Sequence, residues 1–189
     1  LIPLSKNNNS SLGLITSDGR FKRIPIEDVI DISNRATSIL KLKENVVVKS
    51  ALLCNQNEDL LIISNYGRIL KFQINEENLP LMGKLAQGPL IVNLFPDEEI
   101  INAFTSHPER NEKIALISEK GLCIKYKTAF IRNCSKGDLG WMQTSQKISF
   151  SNKDKIIYAY NTKDTINIKS NLNRVGQISN NNIKEFKEK

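Results

Sequence analysis

A turn glycine between two short apolar runs, written three times at nearly equal spacing, constrains this chain more than any other feature. Residues 60–72 read Leu-Leu-Ile-Ile-Ser-Asn-Tyr-Gly-Arg-Ile-Leu-Lys-Phe, an apolar run, a turn and a second run carrying Arg68 and Lys71. The same pattern recurs at 14–24 and at 116–126, with a worn fourth copy at 166–178. The turn glycines Gly19, Gly67 and Gly121 lie 48 and then 54 residues apart. Self-similarity at that period indicates a repeat architecture, in which each unit is too small to bury its own apolar surface and stacks on its neighbours instead.

Each unit reads as four short strands. In the first they fall at 12–17, 21–26, 39–42 and 46–53, with the Asp18-Gly19 hairpin turn and a second turn at Lys43-Glu44-Asn45. Aspartate-glycine between apolar runs favours a hairpin, because glycine accepts the positive φ that tight turns impose. The second unit gives 60–64, 69–74, 90–94 and 100–105; the third gives 114–118, 123–127, a weaker 141–144 and 156–160. The fourth supplies two strands around Asn171-Leu172-Asn173. Runs of four to six apolar residues bounded by Gly, Asn and Pro fit strands rather than helices. The expectation is an all-β, propeller-like array of four-stranded blades, three full repeats and part of a fourth. Its parts are a segment at 1–11, repeats at about 12–59, 60–112, 113–165 and 166–179, and a polar tail at 180–189 that reads as a frayed helix or disorder.

Composition narrows the partners. Lys and Arg outnumber Asp and Glu by 27 to 20, a net charge of +7, which favours acidic or phosphate-bearing partners. The cysteines Cys54, Cys123 and Cys134 are odd in number and lack Cys-x-x-Cys spacing, which suits free thiols in a reducing compartment. Cys123 reads as a small core residue, and Cys134 as a loop residue open to solvent. No apolar run approaches the roughly 18 residues that span a bilayer. The opening Leu1-Ile2-Pro3-Leu4 lacks a starting methionine and a signal-peptide layout, so the chain reads as a piece of something longer or a processed product.

The bases recur in register. Arg23, Lys71 and Lys125 each follow a turn glycine by four residues. Arg20, Lys22, Arg68 and Lys127 flank them, and Arg35, Lys84, Arg132 and Lys136 recur between the second and third strands. Side chains alternate along a strand, so a base at one repeat position lands on the same rim of every blade. The expectation is a basic belt that neutralises DNA phosphates without reading bases. The rival reading is a propeller-like protein-interaction scaffold whose rim bases serve solubility and protect strand edges.

The repeats resemble the C-terminal β-pinwheel domain found in the A subunits of bacterial type IIA topoisomerases, DNA gyrase in particular. The glycine-then-base hairpins carry the resemblance, and so does Asn78-Leu79-Pro80-Leu81-Met82-Gly83-Lys84-Leu85-Ala86-Gln87-Gly88, which is similar to an inter-strand loop of such blades. Cys134-Ser135-Lys136-Gly137-Asp138-Leu139-Gly140 resembles a decayed form of the box of gyrase pinwheels, Gln-Arg-Arg-Gly-Gly-Lys-Gly, matching at Lys136, Gly137 and Gly140. The first repeat has Asn34-Arg35-Ala36-Thr37-Ser38 there. The resemblance implies non-specific binding and wrapping of duplex DNA by a non-catalytic domain that assists supercoiling. It implies as partners the other domains of the same polypeptide, together with the ATPase B subunit of a heterotetramer, in the cytoplasm at the nucleoid or in an organelle. Departures are the missing intact box and fewer units than the six usual in gyrase.

No catalytic constellation competes. His107 is the sole histidine and precedes Pro108 in a polar linker. No cysteine or carboxylate cluster has metal-ligand spacing, and no phosphate-cradling Gly-x-x-x-x-Gly-Lys-Ser/Thr loop occurs, so neither metal nor ATP is expected in this domain.

Overall fold

The computed structural model describes residues 10–30, 37–110, 112–142, 154–162, 166–169, 172–179, 181 and 183–185. It is a row of small antiparallel sheets, one per repeat. The first sheet has the order β2-β1-β3, from β1 (Ser10–Thr16), β2 (Phe21–Pro25) and β3 (Val48–Asn55). The second has the order β5-β4-β6, from β4 (Asp59–Ser64), β5 (Ile69–Gln73) and β6 (Ile100–Ser106). The third contains β7 (Lys113–Ser118), β8 (Cys123–Lys127) and β9 (Ile156–Asn161), with β12 (Lys184–Glu185) added in parallel beside β8. The worn fourth copy forms a separate hairpin, β10 (Ile166–Lys169) and β11 (Val175–Ile178). A single turn of helix, α1 (Glu27–Ile30), follows β2.

The hairpin grammar is uniform. Thr16 N–H donates to the Arg20 carbonyl at 2.9 Å, Ser64 to Arg68 at 3.0 Å and Ser118 to Leu122 at 2.9 Å, leaving three-residue loops that end on the turn glycine. The hydroxyl three residues before each glycine is buried and accepts from the amide just after it: Thr16 from Arg20, Ser64 from Arg68 and Ser118 from Leu122. Each loop is thus closed once by backbone and once by side chain.

The blades stack face to face. β4 is buried along its whole length because neighbours cover both of its faces, which explains its unbroken apolar run. One core lies between the first two sheets and includes Ile15, Phe21, Leu52, Cys54, Leu60, Ile62, Leu70 and Phe72. A second lies between the second and third and includes Leu61, Ile63, Ile69, Ile114, Leu116 and Tyr126. Leu12, Leu14, Ile24 and Ile26 form a third cluster on the far face of the first sheet, covered by Val29, Ile30, Ile39 and Leu40. β3 lies beside β6 and β6 beside β9, so the opposite edges, formed by β2, β5 and β8, face outward.

The segment expected as each blade's third strand behaves differently. Residues 39–42 form no strand. Residues 90–92 leave their own sheet: Ile91 and Val92 both donate to Gly19 O at 3.0 and 3.1 Å, and Phe21 donates to Pro89 O at 3.1 Å. Trp141 exchanges two 2.8 Å bonds with Ile69 of the preceding blade, while residues 143–144 lie outside those described. The fourth member of a blade's sheet is therefore lent by the next repeat, because the β2 and β5 edges hold unpaired backbone groups that need partners. The tail also departs from expectation, since Ile183 is buried and β12 pairs with β8 at Lys184–Ile124 and Glu185–Lys125.

Gly19 and Gly121 separate two demands on one repeat position. Both have positive φ, 84° and 80°, but a Cβ on Gly19 would collide with the Val92 carbonyl oxygen of the lent segment, and one on Gly121 meets nothing within 4 Å. Gly121→Ala therefore costs about 1–2 kcal/mol of left-handed strain. Gly19→Ala adds to that about 1–3 kcal/mol of overpacking. Chemical denaturation of the two variants reads the difference directly.

Candidate nucleic-acid interface

The lent segments align residue for residue. Met82 N–H donates to Arg23 O at 2.9 Å, and Cys134 N–H donates to Lys71 O at 2.7 Å. Six residues further on, Gly88 and Gly140 both take positive φ, 84° and 82°, and lie against the backbone of Phe21 and Ile69 respectively. Residues 82–88 and 134–140 are thus one structural element in successive repeats, each seated on the edge strand of the blade before it. Lys84 and Lys136 occupy the same place in it. Cys134 is buried in the core between the first two sheets, which corrects the expectation of an exposed thiol, and burial raises its pKa. Cys123 is half-buried, and burial pushes the Cys54 thiol up to about 12.

The bases four residues after the turn glycines do not reach an exposed rim. Arg23, Lys71 and Lys125 are all buried, and the first two point toward the following blade. Arg23 donates to Leu79 O at 2.6 Å, to Asn75 O at 3.2 Å and to the Ser11 hydroxyl at 3.1 Å, and lies 3.4 Å from Glu76. Lys71 donates to Thr128 O at 3.4 Å and lies 3.8 Å from Asp59. Burial raises the Asp59 pKa, outweighing the pull of that lysine. These side chains peg one blade to backbone carbonyls of the next, where no phosphate can reach them.

Lys22 and Arg68 are corrected in the same way. Lys22 is buried under the first sheet's outer cluster, donating to Ile39 O at 2.7 Å and to Lys84 O, and burial lowers its pKa. Arg68 is fully buried. It meets Glu98 through two parallel bonds, Nε–Oε1 at 2.7 Å and a second nitrogen to Oε2 at 2.6 Å. The same guanidinium donates to Leu139 O at 2.9 Å and Asn93 O at 2.8 Å, and lies 4.5 Å from the centre of the Phe95 ring. It therefore binds the lent loop of the third repeat to the second blade. Arg20, its counterpart in the first blade, does the same in part: it donates to Gly88 O at 2.9 Å, lies 3.4 Å from Asp18, and keeps 27% of its side-chain surface.

The remaining bases are accessible. Lys84 and Lys127 are half-exposed, and Arg132 and Lys136 are exposed. Lys127 lies 3.8 Å from Glu185 and 5.5 Å from the Phe130 ring centre, and Lys136 reaches Glu77 O at 3.3 Å. Arg35 lies outside the described residues. Sequence reasoning missed Lys41, Lys43, Lys120 and Lys155, which are exposed near the hairpin turns but share no single repeat position. No group of three or more metal-ligating side chains occurs among the described residues.

Two hairpin repeats, residues 14–55 and 58–106, match the family model described as DNA gyrase C-terminal domain, beta-propeller. The chain is 26% identical over 122 residues to the DNA gyrase A protein of Ureaplasma parvum serovar 3, covering 65% of this chain and 14% of that protein. It is 24% identical over 136 residues to the DNA topoisomerase 4 A protein of a Synechocystis species, covering 67% of this chain and 15% of that one. These matches place the first two repeats with the DNA gyrase C-terminal, beta-propeller domains. The fold agrees: the chain superimposes on the C-terminal domain of DNA topoisomerase IV with a TM-score of 0.81 at 17% identity, covering 96% of this chain and 56% of that one. The value for a DNA gyrase A C-terminal domain is 0.71 at 18% identity, covering 93% and 56%. The chain thus spans about one seventh of those two A proteins and just over half of the two solved domains. The box-like residues Cys134, Ser135, Lys136, Gly137, Asp138, Leu139 and Gly140 make up the loop that the third repeat seats on the second blade.

Arg68 and Glu98 are both removed from water, so truncating one strands the other. Arg68→Gln should lose about 3–5 kcal/mol in a denaturant titration. A loss below about 1 kcal/mol, as for an exposed pair, would show that the guanidinium does not hold the blades together.

Proposed function

We propose that this pinwheel binds duplex DNA without sequence preference along its outer edge and bends it, as an accessory to a topoisomerase whose cleavage and ATPase chemistry resides elsewhere. The observation that supports this most is the recurrence of Lys84 and Lys136 at one register position on consecutive lent loops. Those loops sit on the outward β2 and β5 edges; Arg20 adds charge beside β2, and Lys127 stands on the β8 edge. Subtracting the buried bases leaves a shorter basic track than the sequence suggested, but one whose members stand in water where phosphates can reach them. Each would neutralise a phosphate and release its counterion. Bending a 20–30 base-pair segment costs on the order of 1–6 kcal/mol, which further phosphate contacts around the edge offset. The natural partners of such a domain are DNA, the remaining domains of its own polypeptide, plus the ATPase B subunit, in the cytoplasm. No helix among the described residues is long and apolar enough to cross a membrane.

Fluorescence anisotropy with unrelated duplexes across a salt series tests the reading. Log K should fall linearly with log salt, and Lys84→Gln and Lys136→Gln should each flatten the slope by roughly 0.9 while leaving the melting temperature unchanged. Absence of binding at low salt would favour an interaction scaffold, whose contacts would draw on exposed apolar side chains such as Leu85 and Leu139.

A further inference from the structure

The lent loop of the third repeat carries an ion pair that its counterpart in the second repeat lacks. Arg132 keeps 53% of its side-chain surface, yet its two terminal nitrogens are committed to Asp138 at 2.6 and 2.7 Å. The Asp138 Oδ1 also accepts the Gly140 N–H at 3.0 Å. Arg132 further donates to Gly140 O at 3.2 Å and to Asn133 O at 3.4 Å. In the aligned loop of the second repeat, Ala86 stands where Asp138 does.

A guanidinium fork and a backbone amide converging on one pair of anionic oxygens form the donor set that a phosphate group takes. We propose that Arg132 and the Gly140 amide form a phosphate seat on the DNA-facing loop, and that Asp138 occupies it, holding Arg132 out of contact with DNA until a backbone phosphate displaces the carboxylate. The proposal rests on the DNA-binding reading above. Two properties make displacement feasible. Arg132 is exposed enough for a phosphate to approach, and a phosphate offers the guanidinium the same two-oxygen geometry as the carboxylate. The exposed Lys136, two residues from Asp138 on the same loop, attracts the incoming backbone. The loop's shape does not require the charge of Asp138, because an asparagine oxygen can accept the same Gly140 N–H. The consequence is a domain whose loop is restrained by its own carboxylate, so that its grip on DNA is set below what its bases permit.

A four-protein comparison tests this: wild type, Asp138→Asn, Arg132→Gln and the double variant, titrated with one duplex across a salt series, with melting curves to confirm folding. Asp138→Asn should bind about fivefold tighter at low salt, with a slope steeper by roughly 0.9. Arg132→Gln should change wild-type affinity less than about twofold, since that arginine is already engaged. The double variant should bind like Arg132→Gln. A gain that persists in the Arg132→Gln background would reveal a generic effect of net charge and overturn the seat. So would equal binding by wild type and Asp138→Asn. If Asp138→Asn does not fold, Asp138→Gly carries the same cycle, and the same outcomes decide. Failure of all four proteins to bind at low salt would instead refute the DNA-binding reading itself, and the seat with it.

Discussion

The structure depends on what each repeat lends to the one before it. A three-stranded sheet leaves β2 or β5 as an open edge, and the loop of the next repeat closes that edge with backbone hydrogen bonds. The Arg68–Glu98 pair locks one such loop in place, because the guanidinium that satisfies Glu98 also satisfies the Leu139 carbonyl of the loop. Arg23 and Lys71 act in parallel between the stacked faces. Apolar burial between the sheets supplies most of the favourable energy, but it is non-directional and would tolerate sliding. The buried cations each demand particular carbonyls, and so they set the register of blade on blade.

Two populations of positive charge follow from this. One is spent inside the fold. The other stands on the outward loops. Their chemistry is alike, but their surroundings are opposite: an ammonium or guanidinium ringed by carbonyls and a carboxylate has no capacity left for a phosphate, whereas a lysine in water retains it. Among the described residues, the bases that the fold buries are Lys22, Arg23, Arg68, Lys71 and Lys125, so the net charge of +7 overstates what the surface presents. The Arg132–Asp138 pair lies between the two populations, since it is exposed but engaged.

Local features were legible in the sequence. The glycine period marked the units, and the apolar runs around Gly19, Gly67 and Gly121 became paired strands within a residue or two of where the pattern placed them. The glycines of residues 134–140 were visible in the sequence, and the structure shows what the last one touches: Gly140 lies against Leu70 and the Ile69 carbonyl. What could not be read was anything that depends on which sheet a segment joins. Residues 90–92 and 141 are strand-like in composition, but their partners belong to the preceding repeat, and no local pattern encodes that choice. The recurring bases were misplaced for the same reason. A lysine flanked by apolar residues in an edge strand reads as a rim charge, and only the arrival of the next blade buries it. One signal did point the other way. Asp59 directly precedes the apolar run 60–63, and an acid in such a place implies a buried cation to match. The recurring hydroxyl at Thr16, Ser64 and Ser118 was a further readable mark of the hairpin.

The central claim is that burial by the neighbouring blade, and not recurrence in the repeat alone, decides which bases stay open to a phosphate. Amine-reactive footprinting of the folded chain, with and without duplex DNA and read residue by residue by mass spectrometry, tests it most directly. The account predicts that Lys22, Lys71 and Lys125 stay unmodified in both states, while Lys84 and Lys136 react in the free protein and are protected by DNA. Ready modification of Lys71 and Lys125 in the free protein, with protection on adding DNA, would contradict it.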